Sequence, residues 1–411
     1  MSLAILYEYP DTDEEGIKVT AEEMGVDLKY IPFRKVSVLV GDGVWGFKSR
    51  TNDYSPLIEN VTAILNRAQS KNLRLYAAHI LEGFGKYVVN PLRVESICFS
   101  KFRTLVEFWK SRVPTPKTVY IPCDSHDVAR GGIEIHNEET IADLMQRVLG
   151  NGKIVIKPDA GTHGKQVRLA QDRESLAKFL GETEPSIVNP VGLVAQEFVE
   201  KWFYDLRILV TKEYGTPPYC YPTALARAGL SDFRTNTYLG NMVFGVKLPV
   251  EVQKTATRAG EAVGKEEEAW VLALDAMVNA GKDRFVTDEY VKSEFEKLAP
   301  LFEKVKMVKQ DSRGKSRDFR RWSGDLKVAF DAYMAVEAYG NVKKIIEESI
   351  ERNRNRVLFH EANSCPEFWE QTRLVAGINL AVDLLKCAKS VEERGSPQKM
   401  KLDWKAKAAD S

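Results

Sequence analysis

Three separated segments carry residues whose types and spacing suit phosphate and metal chemistry. The first runs from Ile154 to Gly164 (IVIKPDAGTHG), where an apolar strand delivers Lys157 to its end. A loop holding Gly161 and Gly164 follows. Without Cβ atoms in the way, such a loop can turn its N–H groups toward phosphate oxygens. Lysine adds a compact positive charge for the same oxygens. In the second segment, Gln196-Glu197-Phe198-Val199 precedes Asp205-Leu206-Arg207-Ile208-Leu209-Val210. A strand with one apolar face can line an adenine slot while its backbone pairs with the base edge. Asp205 can accept from ribose hydroxyls, and Arg207 can neutralise phosphate. The third segment, His360-Glu361-Ala362-Asn363, ends the strand Val357 to Phe359. Residues two apart on a strand face the same way. Glu361 and Asn363 therefore offer hard oxygens to one point, which suits magnesium, and His360 is expected to point oppositely. Each segment alone also reads as ordinary solvated residues; their joint occurrence in this order points to a nucleotide site.

The elements that must position these residues belong to a chain of 411 residues, 44% hydrophobic. That length fits two or three domains with sizeable cores. A net charge of +1, from 59 basic and 58 acidic side chains, argues against a general nucleic-acid binder. No apolar run reaches the roughly 18 residues of a membrane span, and Met1 to Pro10 has no leader-like pattern. Cys98, Cys123, Cys220, Cys365 and Cys387 are scattered, with no Cys-x-x-Cys pair. They read as reduced thiols, and the expected location is the cytoplasm.

Strand-like runs alternate with helical stretches over the first ninety residues, which predicts a small sheet flanked by helices. Leu3 to Tyr7 and Val36 to Val40 are the strand runs, and Tyr54 to Ser70 has helical spacing at Leu57, Val61, Ile64 and Leu65. Ser96 to Lys110 reads as helix, stopped by Val113-Pro114-Thr115-Pro116. Strands and turns follow from Ile154 to Leu248, then a helix opened by Pro249 and closed by Gly264. Glu266 to Ala280 and Thr287 to Val305 read as helices, and Gln310 to Asp325 as a basic loop. Leu326 to Asp331 is a plausible strand, and Asn341 to Arg356 has a helical apolar face. Thr372 to Ala388 closes the fold, and 393–411 is expected to be a disordered tail.

Two motifs mislead. Gly41-Asp42-Gly43-Val44-Trp45-Gly46 satisfies G-x-G-x-x-G after a strand, but no helical face follows to hold a pyrophosphate, so a hairpin turn is expected. Gly161 to Lys165 resembles part of a P-loop without its full pattern.

With these residues in place, the sequence resembles the ATP-grasp superfamily, in the branch of RimK-like and LysX-like ligases. The resemblance covers about Leu73 to Gly264 and Val357 to Ala388. Leu75 to Glu82 with Val88-Val89-Asn90 is similar to the first domain of the carrier-protein ligases. Ser96 to Thr104 with Val113 to Thr118 is similar to the family's S-I-x-x-x-x-D-K-x-x-T and I-P-T-P-x-T, with Ser100 at the usual Asp and Lys101 retained. The resemblance implies that Lys101 and Lys157, with Gly161 and Gly164, hold ATP phosphates. It implies that Gln196, Glu197, Phe198 and Val199 lie beside adenine, with Asp205 at the ribose. Arg227 and the stretch Asp232-Phe233-Arg234-Thr235-Asn236 look like the family's R-x-x…D-F-R-T-N. Arg227, Arg234 and Asn236 would then stand beside the transferring phosphate and acyl group. The motif's second glycine is Asn241 here.

The family's first metal-binding Asp is missing at its usual distance before Glu361, where Ser349 stands. Asp331, at the end of the plausible strand, is favoured over Asp275, which lies in a stretch read as helix. The metal set implied is Asp331, Glu361 and Asn363, taking Mg2+ or, as the alternative, Mn2+. The implied fold class is α/β (α+β): an ATP-grasp fold behind an N-terminal Rossmann-like domain, with a helical insertion. Its expected parts are 1–93, a lid subdomain 94–195, a C-terminal subdomain 196–264 with 326–392, and a charged insertion 265–325. The implied activity is ATP-dependent joining of a carboxylate to an amine through an acyl-phosphate. The partners would be an amino acid, a peptide or a small carrier protein, in a homo-oligomer. The rival readings are an ATP-binding protein without turnover, and a ribosome- or nucleic-acid-associated factor using Arg317 to Arg321 and the basic tail.

Overall fold

The computed structural model describes residues 2–121, 138–150, 152–161, 166–182, 192–230, 232–235 and 240–394. Gly164, Asn236, Cys123 and the tail from 395 lie outside them.

The N-terminal sheet is parallel, in the order Asp27–Pro32, Ser2–Tyr7, Ala63–Arg67, Tyr87–Val89. Helices Thr12–Glu23 and Lys71–Gly83 follow the two middle strands. The helical spacing read over Tyr54 to Ser70 is overturned. A short helix, Ser55–Glu59, is followed by a strand whose five residues are all buried. A strand covered on both faces loses its alternation and reads as a plain apolar run. The G-x-G-x-x-G stretch is the turn of a hairpin, Ser37–Gly41 with Val44–Lys48. Asp42 and Gly43 both have positive φ, 49° and 73°, as a two-residue turn between twisted strands requires.

Helices Leu92–Phe99 and Lys101–Lys110 replace the single helix expected over Ser96 to Lys110. The break falls at Ser100, whose side chain caps the second helix by accepting from Arg103 N at 3.0 Å. The lid sheet then runs Thr118–Ile121, Leu193–Glu197, Ile154–Pro158, Arg168–Ala170, all antiparallel. Helices Glu138–Leu149 and Arg173–Glu182 back it.

The large sheet is antiparallel, in the order Met242–Lys247, Thr223–Ala228, Tyr204–Lys212, Trp270–Val278, Val357–Asn363. Trp270–Val278 overturns the helix read over Glu266 to Ala280. Its WVLALDAMV sequence suits a helix by propensity. It is a central strand because both neighbours pair with it and all its residues but Met277 are buried. The inserted segment therefore begins after this strand. Its helices Asp288–Gln310, Ser312–Arg317, Phe319–Met334 and Glu337–Arg352 separate two strands that pair directly. The loop expected at Gln310 to Asp325 and the strand expected at Leu326 to Asp331 are both helical. Phe330 and Tyr333 enter the core there, and Tyr333 packs on Phe302 and Tyr339 at 5.2 Å. The basic stretch is tied to the N-terminal domain, with Arg320 2.7 Å from Glu22.

Candidate functional site

A cavity of about 820 Å3 lies where the three sheets meet. Thirteen of the residues singled out from the sequence line it: Lys101, Lys157, Gly161, Gln196, Glu197, Phe198, Val199, Asp205, Arg207, Arg227, Arg234, Glu361 and Asn363. Asp331 does not.

The lid contributes Lys157 from the middle of its sheet. Its ammonium donates to Gln196 Oε1 at 3.1 Å, and Gln196 in turn donates to Thr118 Oγ1 at 2.9 Å. Burial, then the nearby Lys101 charge, pushes the Lys157 ammonium down to about 8. Lys101 opens its helix and reaches Gly161 O at 2.5 Å, while its backbone N–H donates to Asp159 O at 3.1 Å. The same ammonium stands 3.6 Å from Glu361 Oε1. Glu197, Phe198 and Val199 join the lid sheet to the large sheet. Phe198 there lies under Lys153, with the ammonium 5.6 Å from its ring centre.

One face of the large sheet carries a ladder of charged side chains. Asp205 pairs across the strands with Arg227, Arg207 with Asp275, and Asp275 with Glu361. Arg207 forks onto Asp275 at 2.9 and 3.0 Å, and Arg227 reaches Asp205 at 2.6 Å and Asp275 at 3.3 Å. Burial alone would raise both carboxyls, but Arg207 and Arg227 hold Asp275 well below the usual range, and Arg227 and Lys201 hold Asp205 below it. Glu361 follows the same rule: burial opposes its charge, yet Lys101 and Lys71 bring it down to about 2. The cavity keeps these carboxylates ionised at neutral pH.

The two candidate aspartates lie in different surroundings, and Asp331 is not brought to the cavity. Asp331 sits on a helix with its side chain 50% exposed, 2.6 Å from Lys327. Asp275 lies on the strand beside Glu361 and in register with it. The preference for Asp331 rested on pairing a strand that is a helix. Asp205 is likewise held inside the ion-pair ladder, donated to by Thr235 as well as Arg227. Arg207 is committed to Asp275, and Arg234 is paired with Asp232 at 2.6 Å.

His360 also departs from expectation. The register slips between Asp275 and Ala276, so that Glu361 and Phe359 take consecutive partners and His360 is the extra residue. Such a bulge re-aims a side chain, and His360 lines the cavity beside Glu361. Its Nδ1 is buried without a hydrogen-bond partner, and burial, then Lys157, pushes the ring down to about 4. It is neutral at pH 7.

The donor set suits a hard divalent ion held partly by a ligand. Among the described residues no group of three or more His, Cys, Asp or Glu could hold a metal. The site offers two adjacent carboxylates, Asp275 and Glu361, and the Asn363 amide, whose oxygen also accepts from Cys365 N at 3.0 Å. Magnesium commonly takes one or two carboxylates and completes its shell with phosphate and water. Sequence reasoning missed two cationic lining residues of the N-terminal domain, Arg67 and Lys71. Arg67 ends a strand and Lys71 starts a helix, a position that open parallel sheets use for ligands.

Residues 128–293 match the family described as the RimK-like ATP-grasp domain. Over 242 residues the chain is 27% identical to the alpha-aminoadipate–LysW ligase LysX of Saccharolobus solfataricus, covering 58% of this chain and 77% of that protein. It is 25% identical over 201 residues to the coenzyme gamma-F420-2:alpha-L-glutamate ligase of Methanocaldococcus jannaschii, covering 48% and 59%. The crystal structure of the D-cycloserine synthetase DcsG superposes with a TM-score of 0.52 over 96% of this chain and 99% of that one, at 10% identity, a likeness of fold. No helix among the described residues is long and apolar enough to cross a membrane.

Proposed function

We propose, from the premise that this chain belongs to the RimK/LysX-like branch of the ATP-grasp proteins, that it is an ATP-dependent ligase joining a carboxylate to an amine. One observation carries the reading. Ammonium groups from the lid side and an in-register carboxylate pair from the large sheet meet in one cavity of about 820 Å3, within the range usual for ligand pockets.

A carboxylate is a poor electrophile, so its oxygen first attacks the γ-phosphorus of ATP. The bond to the bridging oxygen breaks and ADP leaves. The amine nitrogen of the second substrate then attacks the acyl carbon, loses a proton and expels phosphate. The transferring group is strongly anionic, so the protein's task is positioning and charge neutralisation. In this reading Lys101 and Lys157 hold phosphate oxygens, and Gly161 lets the lid backbone approach them. Phe198 and Val199 flank the base, and Arg227 and Arg234 face the transferred group. Asp275, Glu361 and Asn363 would hold magnesium, which when bound supplies positive charge to the phosphate oxygens. Arg207 and Arg227 position Asp275 for that task.

The substrates fall in the class of amino acids, peptides or a small carrier protein. Glutamate and 2-aminoadipate are the first acids to test, given the relatives' names. The described cysteines, Cys98, Cys220, Cys365 and Cys387, are unpaired thiols, in keeping with a cytoplasmic setting. The test is a ligation screen with ATP, magnesium and panels of acids and amines, read by mass spectrometry with Glu361→Ala as blank. A product that adds the two substrates and loses water, with ADP released, is expected. ADP binding with no product from any panel would favour a nucleotide-binding protein without turnover.

A further inference from the structure

Arg234 and Thr235 line the cavity from the segment that joins strand Thr223–Ala228 to strand Met242–Lys247. The strands pair up to their ends, Ala228 with Met242, so Gly229 and Asn241 meet at the neck of that segment. Thr235 is anchored to the sheet, since its hydroxyl donates to Asp205 and accepts from Lys201. Asp232 binds the Arg234 N–H at 2.8 Å and its guanidinium at 2.6 Å, but these bonds lie inside the segment.

Asn241 supplies a tie at the neck. Its Nδ2 donates to Arg234 O at 3.2 Å, and the residue is only 8% exposed. It does not line the cavity itself. The left-handed backbone here belongs to Gly240, with φ 81°, and Asn241 has no positive φ. The second glycine of the resembled motif is therefore replaced, without backbone strain, by a side chain that reaches the segment bearing Arg234.

Room for that side chain comes from Gly229. A Cβ there would fall on Asn241 Oδ1 and 2.9 Å from its Cγ, and the three nearest heavy atoms all belong to Asn241. Gly229 has no positive φ either, so its backbone would accept an L residue and the asparagine alone would refuse it. The two positions are complementary.

We propose that Asn241 is a positioning residue, fixing Arg234 toward the transferred phosphate from outside the cavity. The proposal rests on the ligase reading, in which Arg234 faces the transferred group, and adds the residue that holds it there. The bond to Arg234 O fixes the backbone from which the guanidinium extends, and Asp232 then sets its direction.

The test compares wild type, Asn241→Gly, Gly229→Ala and the double variant by calorimetry, with magnesium and either ADP or a non-hydrolysable ATP analogue. Only the analogue carries the phosphate that Arg234 would meet. Its affinity should fall about tenfold in Asn241→Gly, the worth of one charge-assisted contact, while ADP affinity stays unchanged. Gly229→Ala should reproduce this fall by displacing the amide, and the double variant should be no worse than either single one. Amide exchange at residues 232–235 of the nucleotide-free protein should quicken in both single variants. Alanine stiffens the backbone, so quickening in Gly229→Ala reports the displaced side chain and not a looser chain.

Unchanged exchange in Asn241→Gly would overturn the proposal, whatever the nucleotides do. So would an equal fall in ADP and analogue affinity, which would make Asn241 a general support of the cavity, or additive losses in the double variant. Wild type that binds ADP and the analogue alike would remove Arg234 from the transferred phosphate and overturn it too. Wild type that binds neither would instead remove the nucleotide site on which the ligase reading stands, and exchange would still decide whether Asn241 fixes the segment. Thermal melting shows whether each variant folds; where Gly229→Ala does not, Asn241→Gly carries the test.

Discussion

At the scale of single residues, Asp275 and Asp331 make a sharp contrast. Asp275 is buried between two arginines and beside Glu361, whereas Asp331 is half exposed on a helix. Asp275→Asn should lower ligase turnover on the order of a hundredfold, by removing a fixed charge from the phosphate end. Asp331→Ala should leave turnover unchanged and shift stability by no more than about 0.5 kcal/mol. Steady-state rates and melting curves of the pair check both. Lys157 supplies a pH signature. Its pKa near 8 in the folded chain is below the ordinary lysine value. The apoprotein therefore gains stability from this group as pH rises from about 8 toward that value. On the proposed reading the nucleotide needs the ammonium, so ADP affinity should be full below pH 8 and decline above it. Calorimetry across that window, with proton uptake read from buffer dependence, would expose a flat profile.

The placement of Lys157, Glu361 and Asn363 near strand ends lining one cavity was legible in the sequence, because glycines and paired oxygens at fixed offsets leave a local mark. Asp275 was not, because nothing local makes WVLALDAMV a strand; its neighbours in the sheet do. His360 was misjudged for a related reason. Strict alternation along a strand fails at a bulge, and a bulge depends on the partner strand.

At the scale of elements, the inserted helices are part of the core of the large sheet. Tyr339 stacks on Phe244 at 5.0 Å, and Phe330 is fully buried. Phe330→Ala should cost about 3–5 kcal/mol, read as a lowered denaturation midpoint. A change of less than 1 kcal/mol, roughly that of a surface site, would mean the insertion packs loosely. Helix Thr12–Glu23 makes the other close fit. A Cβ at Gly16 would lie 2.2 Å from the Trp369 ring, which joins the first domain to the segment after Asn363. Gly16→Ala improves helix propensity yet overpacks this seam. The expected net effect is destabilisation by about 1–3 kcal/mol. Neither contact was readable in advance, since the apolar spacing of a helix gives its buried face and not its partner.

Across the whole molecule, the N-terminal domain is bound to the large sheet through more than surface contact. Asn90 donates to Val271 O at 2.7 Å and Ser364 O at 2.6 Å, and accepts from Val271 N at 2.8 Å. Lys315 of the insertion donates to Thr12 Oγ1 at 2.7 Å. The lid sheet has its own small core, centred on residues such as Ile141, Ile156 and Leu176. It is the unit expected to move on its own. Hydrogen exchange in Ile154–Pro158 and Leu193–Glu197 should slow when ADP and magnesium are added, while the N-terminal sheet stays unchanged. Equal protection in all three sheets would mean that the lid does not move separately.

Lys101 ties the lid loop at Gly161 to the large sheet at Glu361 through a single ammonium. On the proposed reading this tie acts as a latch, and a nucleotide competes with it for the ammonium before it settles. Occupancy and latch draw on the same cation, so a chain with methionine at this position would fill faster and empty faster, trading grip for access.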